Sequence, residues 1–496
     1  MPNRNLKKFA MVWMALLLLG LGVGPPITGQ ENQPSDGFST EDFAKFAIRM
    51  QKEVEALRGW KFKYPVDIDL YTEEQVRAYI EEPLEREEGW PEYSRADTAM
   101  KMIRLIPQDS GLLDTARKMF INMAPPGLYN ARTKELRAVK KPGMDLNSLS
   151  FQVIFIHELT HALDDQYFDL RKMMEIAQSS SDAEIAIGAI VEGSAMTVQQ
   201  RYMNKIFLSG KANRTQALQS MASAMGDMQA VFKAPLYFIT MFFARFTCGT
   251  AFLQFGASTL NSGSESLPSS INQKSEAKTG EAPQRGGPAL KCIDKAMKMA
   301  ATNLPSSSEQ ILHPEKFWRI EARDEPVIVK DKDVEELLTR EGLYTVHKNT
   351  FGELGCAVLT FPEEKRLSPA DMPLPPSAWT NQSAIGWGGD RFFLLASGLK
   401  EENIPQQPEK LYGIWFTMWD TTDDCNEFIA AYKTHRPSPL YSALKLGERC
   451  AIFLFNFESS QRKALQKRLQ TTPPGFTQNG NPWFFTSAVG PGIRSS

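Results

Sequence analysis

Histidine is scarce in this chain, with 5 among 496 residues, and cysteine is equally rare at 5. No two cysteines are spaced as C-x-x-C, which excludes a cysteine-built zinc ribbon or a dithiol redox motif. Cys248, Cys292, Cys356, Cys425 and Cys450 are odd in number, so at least one has no partner within the chain. Isolated buried thiols are the expectation; the competing pairing is a bridge from Cys248 to Cys292 closing the loop between them. Neither sign of charge dominates: 56 Lys and Arg against 58 Asp and Glu leave a net charge of -2. Bulk electrostatics therefore points to no nucleic acid and to no acidic surface as partner. No internal repeat is present. Apolar (42%) and charged (23%) contents are those of a globular protein. A length of 496 residues exceeds one ordinary core, so two or more domains are expected.

The first thirty residues are not read as fold. Arg4, Lys7 and Lys8 make a basic start, Phe9 to Val23 is a short apolar run, and Gly24 to Gln30 is turn-like. That is the pattern of a signal peptide over 1–30, and it places the mature protein outside the cytoplasm, secreted or periplasmic. No cysteine stands there to carry a lipid anchor. An extracytoplasmic compartment also permits disulfides.

Against this background one stretch stands out. Ser150 to Asp165 contains His157-Glu158-Leu159-Thr160-His161, an H-E-x-x-H pattern inside an apolar helical run. At this histidine usage the pattern is expected by chance roughly 0.004 times in such a chain. Residues four apart share a helix face, so His157 and His161 can aim two imidazoles at one point. Two imidazoles are two corners of a tetrahedral zinc site. Glu158, one residue round the helix, can reach a metal-bound water and take its proton. Val153, Ile154 and Ile156 supply the helix body, with Asn147 or Ser148 as N-cap.

Upstream, Ser39 with Asp42 reads as a capping box for a helix that Gly59 stops. Pro65 to Leu70 alternates like a strand, and Thr72 with Gln75 opens a helix over about 73–81. The stretches 96–106 and 112–123 also read as helical, and the Glu-rich run 81–88 as a solvated face. Pro125-Pro126-Gly127 breaks the chain, and Leu128 to Val139 reads as a hairpin whose free edge can pair with an extended peptide. Downstream, Asp169 to Ser180 reads as a polar loop, and Ser181 with Glu184 as a capping box. The helix that follows holds Glu192, the only charge between Glu184 and Arg201. A lone carboxylate in an apolar run is costly unless it is paired or metal-bound.

Its rivals for a third ligand have plainer explanations: Glu175 beside Arg171 and Lys172, Glu184 in a first helical turn, Asp164 and Asp165 further along the histidine helix. Gly188, Ala189, Gly193 and Ala195 would let the Glu192 helix approach that helix closely. The apolar run 234–256 carries Pro235, Arg245 and Gly249 and reads as buried helix rather than a membrane span. Residues 258–287 are low-complexity and read as an insertion. From about 325 the pattern turns to mixed strands and helices, with strands at 343–346, 391–395, 411–418 and 450–457. Helices are expected at 423–432 and 460–469, and Gly386 to Arg391 reads as a tight loop. His313, His347 and His435 stand outside any ligand pattern.

These residues resemble zinc metallopeptidases of the gluzincin, thermolysin-like class, through His157-Glu-Leu-Thr-His161-Ala, the preceding hairpin, and Glu192. Longer segments, His161 to Leu170, Ser307 to Phe317 and Gly386 to Phe392, look like those of secreted, largely uncharacterised metallopeptidase-like proteins. The resemblance implies an α+β fold: a mostly helical zincin-like domain with a small sheet and edge hairpin over 31–324, then a smaller mixed α/β region over 325–496. It implies one zinc ion on His157, His161 and Glu192, with Glu158 as general base, acting on a peptide or protein substrate. The class often has an Asp four residues after the third ligand, where this chain has Met196; Asp164 or Asp165 is expected to orient a histidine instead. The alternative is a non-hydrolytic binding or assembly module of the cell envelope that keeps the metal fold.

Overall fold

The computed structural model describes residues 38–483 apart from 89–90, 124–126, 141–143, 211–227, 263–289, 369–370 and 399–407. The expected signal peptide, the leader after it and most of the 258–287 insertion lie outside the described residues. The first helix, α1 (Thr40–Arg58), forms where the sequence signals it. Ser39 and Asp42 cap each other reciprocally, and Gly59 ends the helix at φ 72°, a left-handed conformation open to glycine. Phe43, Phe46, Met50 and Val54 recur at helical spacing and are buried.

β1 (Asp67–Thr72), α2 (Glu73–Glu88), α3 (Pro91–Met102) and α4 (Leu112–Met123) follow. α2 runs about two turns beyond its expected end. Next come β2 (Gly127–Asn130) and β3 (Glu135–Lys140), the expected hairpin. β3 is the middle strand of a three-stranded sheet, parallel to β1 and antiparallel to β2. Among the described residues β2 is therefore an edge strand.

α5 (Leu149–Phe168) carries the H-E-x-x-H pattern and ends at Asp169 in the left-handed region, φ 52°. The expected polar loop after it is mostly α6 (Leu170–Ala177). Leu170, Met173, Met174 and Ala177 bury one face, a helical period that the surrounding polar residues mask. α7 (Ser181–Leu208) is capped by Ser180, whose side chain accepts from Ala183 N, one residue before the expected cap. α8 (Leu236–Ser262) includes the first residues of the expected insertion. It is long and apolar enough to cross a membrane, yet 83% of its most apolar window is buried inside the protein. Its Arg245 bonds Glu184 of α7 at 3.2 Å. α9 (Leu290–Thr302) and α10 (Ser308–Leu312) close this part.

The small residues of α7 face α8 rather than α5, contrary to expectation. A Cβ on Gly193 would stand 2.4 Å from the Gly249 carbonyl carbon, and one on Gly249 would stand 1.9 Å from the Ala189 oxygen. The two backbones meet there, which leaves the other face of α7 for α5.

The rest of the chain comprises β4 (Ile328–Val329), α11 (Asp331–Thr339), β5 (Tyr344–Asn349), α12 (Gly352–Thr360), β6 (Trp387–Ala396) and β7 (Tyr412–Trp419). α13 (Thr422–His435), β8 (Tyr441–Lys445), β9 (Cys450–Phe455), α14 (Ser459–Thr471), β10 (Phe476–Gln478) and β11 (Asn481–Pro482) complete it. β5-β6-β7-β9-β8 form an antiparallel sheet buried on both faces. Phe392, Trp415 and Phe453 join the large core shared with α1, α5, α7 and α8, while Phe393, Phe416 and Ile452 join a second core with α11 and α14. Alternate residues of each strand thus serve opposite cores.

The segment Gly386 to Arg391, expected as a tight loop, is largely the start of β6, with an irregular register between Trp387 and Gly389. Its Asp390 is buried and accepts from Phe351 N, Gly352 N, Trp387 Nε1 and Trp415 Nε1, capping α12. All five cysteines are free thiols. The whole is α+β.

Candidate metal centre

α5 forms because Val153, Ile154, Phe155 and Ile156 surround its first turns with apolar side chains, all buried. Ser148 occupies the N-cap position, but its hydroxyl bonds Ser150 Oγ at 2.8 Å instead of capping. One turn further, His157 and His161 share a face, with ring centroids 4.7 Å apart. Glu192 comes to them from the middle of α7. Its Oε2 lies 3.1 Å from His157 Nε2 and 3.7 Å from His161 Nε2. Four ligands at zinc-bond length in a tetrahedron stand about 3.3 Å apart, so the carboxylate stands from each imidazole about as far as one zinc ligand does from another.

Glu158 is close as well: one donor atom from each of His157, Glu158 and His161 lies within 4.8 Å of the others. Proximity alone therefore does not choose between Glu158 and Glu192 as the third donor. Their surroundings separate the two carboxylates. Glu158 Oε2 accepts from Tyr129 N of β2 at 2.8 Å, which ties it to the strand. Glu192 Oε1 has no hydrogen-bond partner among the described residues, nor has either ring nitrogen of His161. Buried polar atoms without partners are expensive, and a cation held by Glu192 and one His161 nitrogen would offset part of that cost. The donor set of two imidazoles and a carboxylate is one that zinc accepts.

His157, Glu158, His161 and Glu192 are each 0% exposed. Burial lowers the His157 basicity, against the Glu158 charge and the Gln199 hydrogen bond, so the ring is held neutral. Burial also drives His161 well below its ordinary value, with His157 adding to the effect. Glu192 is pushed well above the carboxylate range by burial, against the pull of Arg245. Neutral imidazoles are the form that binds metal.

The residue that orients His157 is Gln199, with Oε1 3.1 Å from Nδ1. A carbonyl oxygen only accepts, so Nδ1 carries the proton and Nε2 presents its lone pair to the centre. Gln199 lies seven residues after Glu192, two turns along the same face of α7. The expected partners, Asp164 and Asp165, do other work. Asp164 accepts from Arg58 Nη2 at 2.8 Å and from Ser194 Oγ. Asp165 holds Lys134 Nζ, Leu170 N and the Tyr129 hydroxyl. A side chain as short as Asp, bound elsewhere, does not turn back to the ring.

Arg58 was not singled out by any motif. It also donates to Ser194 Oγ at 2.8 Å and to Asp294 Oδ1 at 3.0 Å, so it joins α1, α5, α7 and α9 beside the centre. Asp164 is three residues from His161 and Ser194 is two from Glu192. The rival carboxylates are accounted for: Glu175 is exposed, and Glu184 pairs with Arg245 rather than serving as the expected cap. A second acidic group, Glu309, Asp324 and Asp420, is filled by Lys316 Nζ at 2.5, 2.9 and 3.1 Å. His313 bonds Glu353 at 3.0 Å, beside this second group and not in the histidine centre.

Residues 341–442 match a family described as a domain of unknown function, DUF8575. The match covers β5 to the start of β8, in the sheet region, and none of the helices that bear His157, Glu158, His161 or Glu192. No curated protein and no solved structure matches the chain.

Proposed function

We propose that this chain is an extracytoplasmic zinc-dependent peptidase. The observation that carries the reading is the Glu192 carboxylate set against two imidazoles four residues apart on α5, all buried, with Glu192 Oε1 and the His161 ring nitrogens lacking hydrogen-bond partners among the described residues. His157, His161 and Glu192 would hold the ion. Zinc held there would supply Lewis-acid chemistry toward water and a carbonyl.

The remaining chemistry falls to the chain. Glu158 accepts a proton and returns it to the leaving amine, as a carboxylate adjacent to the ligands and anchored at one oxygen can do. Gln199 fixes the His157 tautomer. β2 offers an edge along which an extended peptide can add as a strand.

A second reading has its own support. All four residues are sealed from solvent, and Tyr129 N, on the β2 edge, is already bonded to Glu158. A closed centre of this kind suits a binding or assembly module that uses metal as a structural staple. Purified protein assayed for zinc content and for cleavage of a peptide library, with and without chelator, separates the two. One zinc per chain with chelator-sensitive cleavage supports the peptidase. One zinc with no cleavage of any library member supports the module. Absence of zinc from protein refolded with the metal in excess rejects both.

A further inference from the structure

A cleft of about 660 Å³ lies far along the chain from the histidines, walled by the turn after α3, the start of α8, the end of α12 and the end of α13. Arg104, Lys233, Lys365, Arg366 and Arg436 line it, against the acids Asp109 and Glu363. None of the five cations forms an ion pair with a described carboxylate. Arg104 bonds the Pro437 carbonyl, Arg366 bonds the Glu363 and Lys365 carbonyls, and Arg436 bonds those of Val358, Phe361 and His435. Lys365 Nζ sits over the Phe361 ring at 3.1 Å. Burial lowers the Lys365 basicity, with no compensating charge.

This pattern has a bland component. Arg436, 6% exposed, caps the last carbonyls of α12, which is a structural role. It does not extend to Lys365, Arg366 and Lys233, which bring three more positive charges to the same cleft. Arg104 adds a left-handed backbone, φ 61°, at a helix end where glycine is the unstrained choice. Non-glycine residues in that region persist where something else demands the side chain. The other wall is apolar: Leu236, Ile239, Val358 and Leu367. The cleft thus sets five cations, in excess of the two acids Asp109 and Glu363, beside a greasy face.

We propose that this cleft binds a phosphomonoester carrying an apolar group, with the phosphate among Lys233, Lys365 and Arg366 and the apolar part on Leu236 and Leu367. A dianionic tetrahedral phosphate suits arginine forks and lysine point charges together. The volume is that of a small-molecule site. The proposal is independent of the metal centre.

Calorimetric titration of the full chain at low ionic strength tests it, with inorganic phosphate, phenyl phosphate, decyl phosphate and neutral phenol as probes. Phenyl or decyl phosphate is expected to bind at about 1 mM or tighter, at least about tenfold more tightly than inorganic phosphate, and phenol not at all. Whichever organic phosphate binds better identifies the source, compact or long-chain; either ranking supports the site. Lys365→Gln with Arg366→Gln, and separately Lys233→Gln, should each weaken binding by about tenfold or more while Lys332→Gln, on an exposed helix, does not. Lys233 and Arg366 are exposed and Lys365 is half-buried against Phe361 with no hydrogen bond to lose, so the fold should survive, which the thermal midpoint checks. No binding of either organic phosphate, inorganic phosphate binding equally well, or undiminished binding by both variants overturns the proposal.

Discussion

The main-chain N–H of Tyr129 donates to the Glu158 carboxylate at 2.8 Å. The edge strand and the candidate base are thereby tied together. The bond also needs only an acceptor at Glu158. In Glu158→Gln the side-chain carbonyl can still accept from Tyr129 N, so the strand should stay in place and zinc should stay bound. Peptide cleavage should fall by a factor of about 100 to 10,000, the usual contribution of a general base. Zinc content and turnover measured on the same preparation check this; loss of zinc, or unchanged turnover, removes Glu158 from the role.

Glu192→Ala should weaken zinc binding by about 100-fold or more, since a ligand is lost. Competition with a chromophoric chelator measures it. Glu175→Ala, on the surface, should change neither affinity nor stability. Glu184→Ala should leave affinity nearly intact but destabilise the protein by about 3–5 kcal/mol, because Arg245 stays buried without its carboxylate. The three variants separate a ligand from a structural ion pair.

Gln199 sits behind His157 and touches no other centre residue in the hydrogen-bond pattern. Gln199→Ala should lower zinc affinity by about 10- to 100-fold, as loss of an orienting partner commonly does. Gln199→Glu, which keeps an acceptor, should restore most of it. Equal affinities in all three proteins would show that Nδ1 needs no partner.

Much of this centre was legible in the sequence. The i, i+4 histidines and the isolated charge of Glu192 are periodic signals, and α5 and α7 deliver them to one point. Gln199 carries a signal too, seven residues beyond Glu192, but a polar residue near a helix end looks like surface until the facing helix is known. Arg58 carries none: its partners, Asp164, Ser194 and Asp294, are 106, 136 and 236 residues away, and no local pattern encodes such meetings. α6 was hidden because only one face is apolar among eight residues. The start of β6 looked like a loop because its glycines are dictated by neighbours: a Cβ on Gly389 would stand 2.4 Å from the Val327 oxygen.

Asp182, at the start of α7, accepts from Ser308 N at 2.8 Å and is pushed up to about 7 by burial. Between its unfolded value, 3.8, and about 7 the folded protein holds a proton that the unfolded chain has released. Its contribution to stability is therefore full below about 4 and is lost as pH rises toward about 7. Urea midpoints at pH 5 and pH 8 should show wild type losing more stability on alkalinisation than Asp182→Asn, in which this proton is absent from both states. A wild-type slope no steeper than the variant's would mean that Asp182 is ionised throughout.

Arg58 gives the strongest test of how the two metal-bearing helices are held. Its guanidinium spans Asp164 and Ser194 at 2.8 Å each, with its side chain fully buried. Arg58→Met replaces the fork with a chain of similar reach and no charge. Asp164 then keeps only Ser194 and becomes a buried, nearly unpaired carboxylate, at a cost of about 3–5 kcal/mol. Denaturant unfolding measures that cost. Stability alone does not show positioning, since any buried pair behaves this way. The distinguishing readout is zinc affinity under conditions where the variant remains folded. If Arg58 sets the distance between α5 and α7, affinity should fall by about tenfold although no ligand has changed. Arg58→Lys, which restores one charge but not the fork, should recover stability more than affinity, because a single ammonium cannot hold both helices in register. Equal zinc affinity in wild type and Arg58→Met would confine Arg58 to the stability of the fold.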